Sequence, residues 1–129
     1  DFVEICNAII NQQLNKIKIK FKNMATVCKY AVPEGYPDNP ISNKKIKIGK
    51  MPKNARLYYA SVDQKEDGLY LTSSRAVACL GIAGNLEEAE EIAEKATNSV
   101  QGKVFHREDI GTKKLIEKRI SHMRNILGS

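Results

Sequence analysis

The run AVACLGI, Ala76 to Ile82, contains no polar side chain. Side chains of a strand alternate between the two faces of its sheet, so such a run must be covered on both faces. It predicts a central strand. Three residues on, Asn85 stands at the N-cap of a helix with Glu88 at the third helical position, a spacing like that of a capping box. Leu86, Ala89, Ile92, Ala93, Ala96 and Val100 form its apolar stripe, and Gly102 ends it. Glu87, Glu88, Glu90, Glu91 and Glu94 crowd its N-terminal half, where the helix dipole favours acids, and read as a solvated face.

The other segments follow from the same patterns. Asp1 to about Gln13 reads as a helix that can continue from upstream, with Phe2, Ile5, Cys6, Ile9 and Ile10 at three- and four-residue spacing. KIKIKFK, Lys16 to Lys22, alternates strictly and predicts a half-buried strand with a solvated lysine face. MATVCKYAV, Met24 to Val32, is a second strand, and the prolines and glycine of PEGYPDNP impose a loop on residues 33 to 40. A short extended piece around Ile46 and Ile48 comes next. RLYYASV (Arg56–Val62) is then a strand, DQKEDG a hairpin turn, and LYL the returning strand. KVFHR is briefly extended, and Thr112 caps a last helix with Leu115 or Ile116, Ile120, Met123 and Leu127 along one side. The fold class is α+β: a mainly antiparallel sheet covered by about three helices.

A length of 129 residues fits a single domain spanning residues 1–129. The acidic start without a basic leader does not read as a secretory signal, and without an initiator Met the chain is expected to be a fragment of a longer one. No apolar run approaches the roughly 18 residues of a membrane span. Cys6, Cys28 and Cys79 lie far apart among apolar neighbours and read as buried free thiols of a cytoplasmic protein. His106 and His122 pair with no cysteine at zinc-ligand spacing, so no metal site is expected. Charge is uneven: residues 1–56 carry 11 basic and 4 acidic side chains, and residues 57–129 carry 10 and 11. A basic half suits an anionic partner, whether nucleic acid, a phosphorylated small molecule or an acidic domain. The lysines of KIKIKFK lack interleaved arginine or aromatic side chains on their face, which disfavours nucleic acid.

Catalytic parts are missing. There is no phosphate-binding loop with its lysine and no G-x-S-x-G turn. Two unusual spots remain. LTSSRA holds Thr72, Ser73, Ser74 and Arg75 between two apolar runs, with hydroxyls and a guanidinium suited to phosphate or carboxylate. Arg75 either reaches an anion or pairs with a carboxylate such as Asp109. FHREDIG holds Arg107, Asp109 and Gly111, which read as a local ion pair and cap ahead of the last helix. Gly35, Tyr36 and Pro37 read as a rigid loop.

Taken in order, DFVEI (1–5), ATVCKYAVPEGYP (25–37), YYASV (58–62), GLYLTSSRAVA (68–78), GNLEEAEEIAEKA (84–96) and FHREDIG (105–111) resemble one known pattern. It is the C-terminal domain of the phosphoribosylamine–glycine ligase family, ATP-grasp enzymes of purine biosynthesis. The chain departs from the pattern at two places. Tyr59 stands where the family has histidine, and the family's Gly-Gly-Arg corner becomes Ser74-Arg75-Ala76, with both glycines lost and the arginine one place early. The resemblance implies a cytoplasmic ligase in which ATP phosphorylates glycine and the amine of 5-phosphoribosylamine attacks the acyl phosphate. It places ATP, magnesium and every catalytic residue in the ATP-grasp core upstream of Asp1, the partner on which this piece packs while walling the cleft. It puts Thr72, Ser73, Ser74 and Arg75 at a substrate-binding corner, and it implies that the fragment alone is inactive. The rival readings are a C-terminal domain of another ATP-grasp enzyme and a small basic nucleic-acid-binding module.

Overall fold

The computed structural model describes residues 1–128. Three helices, α1 (Phe2–Ile10), α2 (Leu86–Asn98) and α3 (Lys113–Leu127), accompany eight strands. These are β1 (Ala25–Pro33), β2 (Lys45–Ile48), β3 (Ala55–Tyr59), β4 (Val62–Lys65), β5 (Gly68–Leu71), β6 (Val77–Ala83), β7 (Val100–Gln101) and β8 (Val104–Phe105). All pairings are antiparallel, in two four-stranded sheets ordered β3-β6-β1-β8 and β4-β5-β2-β7. The α+β class with antiparallel pairing is as the sequence predicts.

AVACLGI occupies the centre as expected. β6 lies between β1 and β3, with Val77 and Cys79 fully buried. Beneath one face of this first sheet lies α2, whose Ala89, Ala93 and Ala96 are completely buried. The Asn85 side chain accepts from the Glu88 amide at 2.9 Å, so the cap forms as read. A second core of Ala31, Ile46, Leu71, Val77, Cys79, Ala96 and Val100 joins residues of both sheets. β7 pairs with β2 and β8 with β1, so the corner at Gly102 carries the chain from one sheet to the other.

Several expectations are corrected. Lys16 to Lys22 is not a strand: a 3-10 turn covers Leu14–Lys16 and the rest is irregular. Alternation makes a strand only when one face finds cover and an edge finds a partner. Here Phe21, on the apolar side, is 89% exposed. The segment read as the strand Arg56–Val62 breaks at Ala60 and Ser61, whose amides both donate to the Ala76 carbonyl (3.0 and 3.3 Å). Val62 then begins β4 in the second sheet, and residues 63–65, read as part of a turn, are strand. α2 stops at Asn98, so Val100 belongs to β7 rather than to the helix stripe, and Gly102 lies in the following turn. α1 ends at Ile10, with the Asp1 carboxylate as its N-cap accepting from the Val3 amide. Of the three cysteines only Cys79 is buried; Cys6 is half-buried and Cys28 exposed. No helix among the described residues is long and apolar enough to cross a membrane.

Candidate functional site

β1 has two chemically different faces. Val27, Lys29 and Ala31 are buried, whereas Cys28 and Tyr30 point to the open side of the sheet. On that open side is a cleft of about 450 Å³ lined by Tyr30, Tyr36, Pro37, Arg75, Phe105 and Arg107, among others. Three segments far apart in sequence meet there, and the strand register explains why. Ala31 pairs with Val77, and the Ala76 amide donates to the Ala31 carbonyl at 3.0 Å, which sets Arg75 at the end of β6 beside Tyr30. Val32 pairs with Phe105, which brings Arg107 to the same end. The loop leaving β1 supplies Tyr36 and Pro37.

That loop is closed by its own backbone. Tyr36 N–H donates to the Pro33 carbonyl, Asn39 N–H to the Gly35 carbonyl and Ile41 N–H to the Glu34 carbonyl. Gly35 has φ of 80°, and a Cβ there would lie 2.1 Å from the Asn39 carbonyl oxygen. Both the left-handed conformation and the close approach admit glycine alone.

The residues read from LTSSRA divide. The half-buried Thr72 hydroxyl donates to the Ser61 carbonyl at 3.0 Å and braces the corner. Ser73 and Ser74 are exposed and do not line the cleft. Arg75 does line it, with its guanidinium carbon 5.6 Å from the centroid of the Tyr30 ring, a cation–π arrangement. Arg75 does not pair with Asp109. That carboxylate is taken by Arg107 in a two-pronged contact, Nε to Oδ1 at 3.0 Å and Nη2 to Oδ2 at 2.7 Å. The hydrogen bonds from Arg107 hold the Asp109 carboxyl below its ordinary pKa and raise that of Arg107. The Asp109 carbonyl accepts from the Thr112 hydroxyl, and Gly111, at φ of 83°, turns the chain into α3. Arg75 makes no ion pair among the described residues, so its charge faces the cleft without a carboxylate.

Beneath the sheet is a cluster that the sequence reading missed. Lys29 is 1% exposed, and its ammonium donates to Glu90 at 2.6 Å, to Glu94, and to the Glu108 carbonyl at 2.7 Å. His106 Nε2 lies 3.0 Å from the other Glu94 oxygen. Glu90 and Glu94 are therefore not part of a solvated face: their side chains are 16% and 26% exposed and turned onto Lys29. A signal was available. Lys29 alternates with Val27 and Ala31, so it had to point into the core, and a buried ammonium requires carboxylates. The cluster ties the FHREDIG turn to β1 and α2 and so holds Arg107 at the cleft.

Comparison with known proteins follows the same outline. The relatives are about three times longer. A phosphoribosylamine–glycine ligase of Methanocaldococcus jannaschii is 50% identical over 129 residues, covering 98% of this chain and 29% of its own length. The Methanosarcina acetivorans ligase of the same name is 49% identical over 128 residues, covering 99% of this chain and again 29% of its own. A crystal structure of phosphoribosylamine–glycine ligase from Thermotoga maritima superposes with a TM-score of 0.61 at 24% identity, over 82% of this chain and 27% of that one, a likeness of fold. The family described as phosphoribosylglycinamide synthetase, C domain, matches residues 26–113, which include all three segments that line the cleft. This chain belongs to the phosphoribosylglycinamide synthetase C-domain family.

Proposed function

We propose that this chain is the C-terminal domain of a cytoplasmic phosphoribosylamine–glycine ligase and walls one side of its active-site cleft. The reaction joins glycine to 5-phosphoribosylamine with hydrolysis of ATP to ADP and phosphate. ATP and magnesium belong to the remainder of the ligase chain.

One observation carries the reading. The Tyr36-Pro37 loop, the Arg75 corner and the Arg107 turn converge on one concave face, and Arg75 there has no internal counter-charge. A guanidinium fork suits a phosphate or carboxylate. Arg75 is therefore assigned to the anionic group of the phosphoribosylamine. Thr72 shapes the corner, and Ser73 and Ser74 supply the exposed turn from which a backbone N–H or hydroxyl can join the contact.

In the full-length ligase, Arg75→Ala is expected to raise the KM for phosphoribosylamine by about 10-fold or more, the scale of one charge-assisted hydrogen bond, with little change in the KM for ATP. Unchanged KM values with a lowered melting temperature would instead make Arg75 a brace. Micromolar binding of RNA or DNA that falls steeply with salt would count for the nucleic-acid alternative.

A further inference from the structure

Arg75 leaves the turn at the head of β6 on a long, exposed side chain. Such a side chain samples many rotamers, and fixing it on a ligand costs conformational entropy. A carboxylate partner would hold it, but would also neutralise its charge and occupy its N–H fork. Asp109, the carboxylate of the FHREDIG turn, is taken by Arg107. What Arg75 meets instead is the Tyr30 ring, whose centroid lies 5.6 Å from the guanidinium carbon. An aromatic face attracts a cation through its quadrupole. It carries no charge of its own, so the net charge of the guanidinium remains for an anion.

The sheet fixes both partners. Tyr30 and Tyr58 each pair with Ala78, one from either neighbouring strand, so both side chains flank that small, buried residue on the open face. The root of Arg75 hangs on the same ladder. The Ala76 amide donates to the Ala31 carbonyl at 3.0 Å, and Ala76 is fully buried. Arg75 precedes Ala76 and Tyr30 precedes Ala31, so one buried hydrogen bond sets the spacing of the pair. Tyrosine turns about only two side-chain torsions, so its ring loses little freedom in serving as a platform. We propose that Tyr30 is the positioning residue for Arg75: its ring holds the guanidinium at the cleft, ready for the anionic group of phosphoribosylamine. This rests on the assignment of Arg75 to that anion. The ring acts through Arg75, and the tyrosine hydroxyl takes no part.

Steady-state kinetics of the full-length ligase test this. Tyr30→Leu is expected to raise the KM for phosphoribosylamine about 3-fold, the scale of a partly exposed cation–π contact, while the KM for ATP stays. Tyr30→Phe keeps the ring and should hold the KM within about 1.5-fold of wild type. In an Arg75→Ala background, Tyr30→Leu should add nothing further, because the two residues act as one unit. Tyr30→Ile, a good strand residue, repeats the test should the leucine variant fold poorly. An Arg75→Ala enzyme with a raised KM beside a Tyr30→Leu enzyme with the wild-type KM overturns the proposal and leaves Arg75 on the anion. So does a Tyr30→Phe enzyme as weak as Tyr30→Leu, which would put the effect on the hydroxyl. Effects of Tyr30→Leu and Arg75→Ala that multiply in full also overturn it, since the tyrosine would then touch the substrate by itself. An Arg75→Ala enzyme with the wild-type KM overturns both the proposal and the assignment beneath it.

Discussion

Lys29→Met is expected to lower the stability of the fold by about 3–5 kcal/mol, the cost of removing one partner from a buried ion cluster. Methionine fills nearly the same volume, so the loss is electrostatic rather than a cavity. Glu90 and Glu94 would keep their charges at the base of α2's inward face with no cation beside them, and the Glu108 carbonyl would lose its donor. Urea unfolding measures the effect, with the midpoint moving and the slope unchanged. A loss below about 1 kcal/mol would place the cluster among solvent-screened surface pairs. Adding Glu90→Gln and Glu94→Gln to Lys29→Met should recover most of the loss, because neutral amides remove the stranded charge.

The same cluster fixes a pH dependence. Burial alone would raise the Glu94 pKa, but hydrogen bonds from Lys29 and His106 outweigh it, and the folded value lies below the ordinary 4.5. A depressed carboxylate pKa gives stability that is present above 4.5 and is lost as pH falls through the folded value. Burial alone would lower the Lys29 pKa, yet its bonds to Glu90 and Glu94 prevail and raise it above 10.5. That contribution is complete below 10.5 and is lost as pH rises through the folded value. Wild type should thus weaken toward both extremes. Lys29→Met should behave oppositely on the acid side: its stability rises as pH approaches 4.5, because protonation discharges the stranded Glu94 carboxylate. An acid limb with the wild-type sign in that variant would refute the assignment.

Much of the fold is legible in the residues themselves. An all-apolar run can only be central, and β6 is central; an asparagine three residues before a glutamate at the head of an apolar stripe can only start a helix, and α2 starts there. Local rules fail where the answer depends on a neighbour. KIKIKFK satisfies the strand pattern, but no sheet edge takes it. RLYYASV looks continuous, yet its last residue belongs to the other sheet because the Ala76 carbonyl captures two consecutive amides. The glutamates of α2 look alike in sequence. Only the position of Lys29 across the sheet separates Glu90 and Glu94 from Glu87, Glu88 and Glu91, which stay exposed. The cleft is the extreme case. Tyr36, Arg75 and Arg107 are joined by strand register, which no local pattern contains, and ordered motif resemblance is the sole sequence signal that groups them.

Gly81→Ala, the gain of a single methyl group, should cost about 3 kcal/mol or more, the upper range for overpacking a filled core. Gly81 sits in β6 directly beneath α2. A Cβ there would lie 2.0 Å from the Ala89 carbonyl oxygen and 2.6 Å from the Ala93 amide nitrogen. Both are backbone atoms, so no rotamer change relieves the clash, and the helix must rise from the sheet. Ala89 and Ala93 are fully buried in that contact because the helix backbone rests almost on the strand. Raising α2 also pulls Glu90 and Glu94 away from Lys29, so part of the cost is electrostatic. Gly81→Ala and Lys29→Met should therefore combine to less than the sum of their separate effects, as coupled sites do. Gly84→Ala is the control, since a Cβ there meets nothing within 4 Å, and it should change stability by no more than about 0.5 kcal/mol. A Gly81→Ala variant that unfolds at the wild-type urea concentration would mean that α2 does not lie this close to β6. Full additivity with Lys29→Met would mean that the helix moves without disturbing the buried cluster.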